Sequence, residues 1–159
     1  MTRVVQSVDV KAPVTSVYNQ WTQFEDFPRS MEGVKSVDQI DDTHLRWVAE
    51  VAGKDETWNA EITEQHADER IAWNATSGAE NAGVVTFHRI DDDTTRVTLQ
   101  LDADPEGVVE NVGTALGFLD RRVKGDLDRF KEFIEARGAE SGAWRGEVDA
   151  KPQHPLTDR

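Results

Sequence analysis

One stretch near the C-terminus limits what this chain can fold into. Val112, Leu116, Leu119, Val123, Leu127, Phe130 and Ile134 recur at spacings of 4, 3, 4, 4, 3 and 4, which puts all seven on one side of a helix. Pro105 suits the first turn of that helix and Gly138 its C-terminal cap, so one helix is predicted over 105–138. A helix this long with a single apolar side needs a broad apolar surface to lie on. The stripe is also uneven. Gly113, Gly117 and Asp120 fall at or beside it, so side-chain volume is missing where the helix should cover its support. Two readings are open: close backbone packing with Asp120 at the solvent edge, or a ligand cavity with one carboxylate on its wall.

The preceding hundred residues supply the surface. Strands are predicted over 3–11, 34–40, 44–51, 56–64, 70–77, 83–90 and 95–103, with polar turns such as Asp41-Asp42, Gly53-Lys54 and Asp91 to Asp93 between the later six. Turns at this spacing favour an antiparallel meander. The alternation is two-sided. Leu45, Trp47, Ala49 and Val51 share a face with Trp58, Ala60, Ile62, Ile71, Trp73, Ala75, Val85, Phe87, Val97, Leu99 and Leu101. The opposite positions carry residues such as Arg46, Glu50, Glu61, Arg96 and Asp102. One face is therefore dry and the other wet. A short helix follows Pro13, and the segment Phe24 to Met31 reads as a helical turn broken at Pro28. The expected fold class is α+β: a seven-stranded antiparallel sheet wrapped around a long C-terminal helix, with two short helices after the first strand. Past Gly138 the apolar pattern stops, and residues 139–159 read as a flexible tail anchored at Trp144.

In this order the residues resemble a known superfamily. Ala12-Pro13 with Val17-Tyr18 and Trp21 precede Glu25-Asp26-Phe27-Pro28 and Met31. Asp41-Asp42 and Trp47 follow, then Trp58-x-Ala60-Glu61-Ile62, Arg70-Ile71-Ala72-Trp73, Gly83-x-Val85-x-Phe87 and Thr95-Arg96-Val97. Asp126-Leu127, Arg129-Phe130-Lys131 and Gly142-x-Trp144-Arg145-Gly146 complete the set. The pattern resembles the START/Bet v 1-like (helix-grip, SRPBCC) superfamily, and within it the polyketide cyclase/dehydrase branch. It spans about residues 3 to 147, which sets the expected domain at 1–147 and the tail at 148–159. The resemblance implies a cavity between sheet and helix that holds a hydrophobic small molecule. It does not imply one activity, because such folds include cyclases, lipid carriers and receptors.

The expected ligand wall combines the dry face with the gap in the helix: Trp47, Trp58, Trp73, Phe87, Leu99, Gly113, Leu116, Gly117 and Asp120. Flat indole rings suit aromatic or polyketide-like ligands. Catalytic candidates are few. Asp120, Tyr18 and His88 are the groups that could move a proton in a cyclisation or dehydration, and strand alternation turns His88 towards solvent. The histidines show no metal-ligand spacing and the chain has no cysteine, so neither a metal site nor a cofactor is expected. Glu25 and Asp26 stand near the expected cavity mouth as gating candidates. The net charge of −13 disfavours nucleic acid as a partner. No apolar run is long enough for membrane insertion, and the N-terminal MTRVVQSVDV lacks the apolar block of a secretion signal, so the cytoplasm is the expected compartment. The leading expectation is a binder of a hydrophobic, aromatic or polyketide-like molecule. The alternative is a polyketide cyclase, aromatase or dehydratase using the same cavity, so whether the chain is an enzyme stays open. So does its oligomeric state.

Overall fold

The computed structural model describes residues 2–31, 33–51, 53–78, 80–103 and 112–149, with the side chains of 2, 51 and 112–116 excepted. The elements run β1 (Thr2–Val10), α1 (Val14–Trp21), a single 3-10 turn (Phe24–Asp26), α2 (Phe27–Ser30), β2 (Val34–Gln39), β3 (His44–Val51), β4 (Lys54–His66), β5 (Arg70–Gly78), β6 (Asn81–Asp91), β7 (Thr94–Ala103) and α3 (Val112–Arg137). All seven strands form one antiparallel sheet in the order β1-β7-β6-β5-β4-β3-β2. Strands β2 to β7 are thus a continuous meander, and β1 closes on its far edge. The long helix lies over the dry face. This is the helix-grip arrangement that the resemblance implied.

Each element has a local reason. Pro13 holds an extended backbone at φ −62° and ψ 150°, and its carbonyl accepts the first α1 bond from the Val17 N–H at 3.0 Å. Pro28 does not break a helix. It occupies the first turn of α2, where its missing N–H costs no helical bond. At the other end of the chain, Gly138 takes φ +75° and donates to the Ile134 carbonyl at 3.1 Å, which closes α3 with a left-handed cap. Helix α3 buries Leu119, Val123, Leu127, Phe130 and Ile134. The predicted helix residues 105–111 lie outside the described residues.

The wet face behaves as the alternation required. Arg3 pairs with Asp102 at 2.7 Å and Arg96 with Asp9 at 2.8 Å, each across the β1–β7 ladder. The pairing register shifts at Val34/Ser36, Asn59/Ala60, Ile62/Glu64 and Arg89/Asp91, and the third of these reshapes the core. In β4 the register shifts between Ile62, which faces Trp73, and Glu64, which faces Ala72. The extra residue is a β-bulge at Thr63, and it turns Gln65 inward beside Ile71, where the glutamine is 1% exposed.

The segment after Gly138 is a second departure. Composition suggested a flexible tail, yet residues 139–149 are seated on the domain. The Ser141 N–H donates to Gln20 Oε1 at 2.8 Å, and the Trp144 N–H donates to Thr22 Oγ1 at 3.1 Å. Arg145 reaches Asn19 Oδ1 at 2.7 Å and Asp68 Oδ2 at 2.8 Å. Gln65 and Val148 exchange backbone bonds at 2.7 and 2.9 Å. This strap explains why Asn19, Gln20 and Thr22 of the α1 region are buried although polar: it supplies their partners. Residues 150–159 of the expected tail lie outside the described residues.

Candidate functional site

The core under α3 has a filled part and an open part. Around α1 it is filled. Trp21 meets Phe27, Phe87 and Phe130 edge-on with ring centroids 5.3, 6.0 and 4.9 Å apart, and Tyr18 meets Phe87 at 5.3 Å. Next to this packed part a cavity of about 210 Å³ remains, bordered by Trp21 at the end of α1. Its floor is the dry face of the sheet, with Trp47, Trp58, Trp73, Ala49, Ala60, Ile62, Leu99 and Leu101 among the lining residues. Its roof is Leu119, Arg122, Val123 and Asp126 of α3, and Phe24, Phe27 and Met31 close one side. The polar lining residues are Glu56, Glu80, Asn81, Arg122 and Asp126.

Pairing across strands positions the aromatic floor. Trp47 and Trp58 are direct partners in the β3–β4 ladder, and their rings stack at 5.8 Å with planes 6° apart. Trp73 extends over β6 because Gly83 has no side chain. A Cβ there would stand 2.6 Å from the Trp73 ring and 2.7 Å from the Gln100 carbonyl. The Trp73 N–H donates to Asn81 Oδ1 at 3.1 Å, while the Trp58 N–H is shielded from solvent with no partner. All three indoles are half-buried.

The roof holds the main cation of the cavity. Arg122 Nη2 donates to the Glu50 carbonyl at 2.6 Å, and the guanidinium stacks 5.8 Å from the Phe118 ring centroid. Gly33 makes room for it: a Cβ at Gly33 would fall on the guanidinium. Asp126 is 14% exposed and lies 3.6 Å from Arg129.

Among the residues singled out from the sequence, Trp47, Trp58, Trp73 and Leu99 line this cavity. Phe87 does not; it lies at the α1 end of the sheet, wedged against Tyr18 and Trp21. Asp120 is drawn away by Gln6 of β1, whose Nε2 donates to its carboxylate at 2.6 Å. Among the described residues, a Cβ at Gly117 would meet only Arg121 Nη1, at 3.4 Å. Gly113 and Leu116 belong to α3, but what surrounds them lies outside the described residues. Among the described residues of α3, the helix wall of the cavity is Leu119, Arg122, Val123 and Asp126.

The proton-transfer candidates are also elsewhere. Tyr18 is fully buried, its hydroxyl accepts from Gln65 Nε2 at 3.0 Å, and burial pushes its pKa up. His88 is exposed on the convex face, opposite Arg96. Glu25 caps the β2 end by accepting the Gln39 N–H at 2.9 Å, and Asp26 ties to the strap through Ser141. Sequence reading missed Arg122 and Asp126. Their signal was their position, three and seven residues after Leu119 on the edge of the apolar stripe.

One side-chain group outside the cavity was hidden by sequence distance. The ligand atoms of His66, Glu147 and Asp149 lie within 4.8 Å of one another. Both His66 nitrogens already face carboxylates, Glu64 at 3.1 Å and Glu147 at 3.0 Å, and Glu64 is held by Arg70 at 2.6 Å. Those contacts raise the His66 pKa, through Glu64 first, and hold the Glu64 carboxyl down at about 2, through Arg70 first. A protonated imidazole clamping the strap satisfies this geometry, whereas a metal ion needs the imidazole neutral.

Comparison with known proteins agrees with this architecture. Residues 10–132 match the family described as polyketide cyclase / dehydrase and lipid transport. An uncharacterised 17.2 kDa protein of Streptomyces lincolnensis, from the melC2-rnhH intergenic region, is 56% identical over 149 residues, covering 93% of this chain and 99% of its own. Among solved structures, a START superfamily protein from Mycobacterium smegmatis is similar in fold at a TM-score of 0.76 and 14% identity, over 86% of this chain and 99% of that one. The Zhui aromatase/cyclase from Streptomyces sp. R1128 gives a TM-score of 0.71 at 17% identity, over 89% and 98%. Within the described residues no helix is long and apolar enough to cross a membrane. With most of its length matched by the family model and a relative at more than half identity covered over nearly its whole length, the chain belongs to the polyketide cyclase / dehydrase and lipid transport family.

Proposed function

We propose that this protein binds a hydrophobic, planar small molecule in the cavity between the sheet and α3. One observation carries the reading: three half-buried tryptophans face an unfilled space of about 210 Å³ inside the domain. Protein interiors pack near crystal density, so a void of this size beside large aromatic rings is costly unless something occupies it. Family membership and the likeness to an aromatase/cyclase support the same reading. The test is native mass spectrometry of the purified protein for a retained ligand, followed by titration with planar aromatic compounds read by tryptophan fluorescence. A saturable response from at least one compound is expected. Absence of any response across the panel sinks the reading.

A catalytic role as cyclase or dehydratase has one feature in its favour. Asp126 is a shielded carboxylate on the cavity roof, where a proton acceptor would be needed. The described lining contains no histidine, serine, lysine or tyrosine to stand opposite it. Binding is therefore ranked first. Asp126→Asn separates the two. Under the binding reading, affinity for the best aromatic ligand changes little. Under the catalytic reading, turnover of a polyketide-like substrate is lost while binding survives.

A further inference from the structure

We propose that the cavity takes an organic cation, an apolar ring that carries a positively charged ammonium group, and that Glu56 is the residue that selects for the charge. The inference rests on the binding reading above and adds the sign of the ligand's charge to it. The first observation is an acid on the wrong face of a strand. Glu56 is the direct partner of Ala49 in the β3–β4 ladder and stands two residues before Trp58, so it shares the dry face with Ala49, Trp47 and Trp58. It lines the cavity and is half-buried. Among the described residues it has no ion-pair partner. A carboxylate so placed gives up part of its hydration, and only a cation entering the cavity compensates for the loss. Ala49, across from it, offers no more than a methyl group and leaves room beside the carboxylate.

The second observation is the balance of charge around the space. Glu80 and Asp126 also line it, against the one lining cation, Arg122. Arg122 is held at the end of β3 by the Glu50 carbonyl and by the Phe118 ring, and Asp126 has Arg129 at 3.6 Å. Counting both arginines, the carboxylates of Glu56, Glu80 and Asp126 leave the surroundings negative, which repels an anion and attracts a cation. The third observation is aromatic. Trp47, Trp58 and Trp73 line the same space, and the face of an indole holds a cation better than that of any other aromatic side chain. Acid and rings therefore favour the same charge, whereas a neutral ligand would gain nothing from Glu56.

The experiment uses the full chain at physiological ionic strength and two probes, phenyltrimethylammonium and tert-butylbenzene. They share one heavy-atom skeleton and differ by a positive charge. Each is titrated by NMR, and each is then used to displace the other. The wild type is expected to bind the ammonium roughly tenfold more tightly, the effect of cation–π contact in a shielded site. The two probes should compete for one site. Glu56→Gln keeps the shape of the side chain and removes its charge, so the preference should fall to about threefold or less, the part left to the rings, with tert-butylbenzene binding unchanged. Equal affinity, or tighter binding of tert-butylbenzene, overturns the cation class while the cavity reading stands. Ammonium binding that tert-butylbenzene does not displace and Glu56→Gln does not weaken is adventitious attraction to an acidic surface, and it overturns the class as well. No saturable binding of either probe overturns both the class and the cavity reading. The probe comparison is made on the wild type, so it does not depend on the variant folding.

Discussion

Leu127 shows how this core treats a single side chain. It has no exposed surface and lies in the filled half of the molecule, on the same α3 stripe as Phe130 and Ile134. Leu127→Ala should lower unfolding free energy by about 2–5 kcal/mol, read from the denaturant midpoint, because close packing prevents collapse around the lost methyls. Residues of this kind were legible, since burial follows helical spacing and the stripe marks it directly. Site residues were only partly so. Trp47, Trp58 and Trp73 followed from alternation, because a strand has two faces and three tryptophans on the dry one must point at the helix. Asp120 was misread for a physical reason. Helical spacing gives the angle of a side chain but not its tertiary partner, and Gln6, 114 residues away in sequence, decides where that carboxylate goes.

At the scale of elements, two contacts govern how parts move relative to one another. Arg122 ties α3 to the end of β3 through the Glu50 carbonyl, across the notch left by Gly33, and it borders the cavity. Gly33→Ala would place a methyl group where the guanidinium lies and force the arginine out. Stopped-flow titration with an aromatic ligand should then show faster association and faster release, as for Arg122→Ala, with a smaller change in Kd. Unchanged rates in both variants would mean that the tie does not guard the cavity. The second contact is the strap. His66, clamped between Glu64 and Glu147, has a raised folded pKa, so its contribution to stability is complete below the unfolded value near 6.5. That contribution is lost as pH rises through the folded value. Glu64 runs the other way: its contribution is present above the unfolded value near 4.5 and fades as pH falls towards about 2. Hydrogen exchange at the Val148 amide, which pairs with Gln65, should therefore be better protected at pH 6 than intrinsic exchange rates predict from pH 8 data. Glu147→Gln should shrink the difference and lower the His66 pKa in an NMR titration. Of this strap the sequence marked only an anchor at Trp144 and, through the resemblance, a domain reaching residue 147. Its anchors are single hydrogen bonds to Asn19, Gln20, Thr22 and Asp68, and such contacts leave no periodicity. The bulge that turns Gln65 inward was hidden for the same reason: one extra residue reverses alternation without changing composition.

For the whole molecule, the order of elements was legible because each has its own period and punctuation, and a sheet with one dry face beside one long amphipathic helix has few ways to close. The division of its interior was not. Pattern marks which residues face inward but says nothing about whether they meet. In the structure the α1 end meets, with Trp21, Phe87 and Phe130 in edge contact, and the other end stays open between Trp58, Trp73 and Leu119. The two halves should answer substitution in opposite ways. Ala49 lines the open half and is 6% exposed, so a larger side chain there has space to enter. Ala49→Leu should leave the thermal midpoint nearly unchanged or raise it, since the overpacking cost of about 1–3 kcal/mol arises where space is absent. The same substitution should weaken aromatic ligands at least tenfold, because their volume competes with the new methyl groups. A clear loss of stability with ligand affinity intact would show the reverse: the space near Ala49 would be closed in solution, and the ligand would be held elsewhere. Stability retained and binding lost is the outcome expected if the chain keeps its fold in one half of the core and its function in the other.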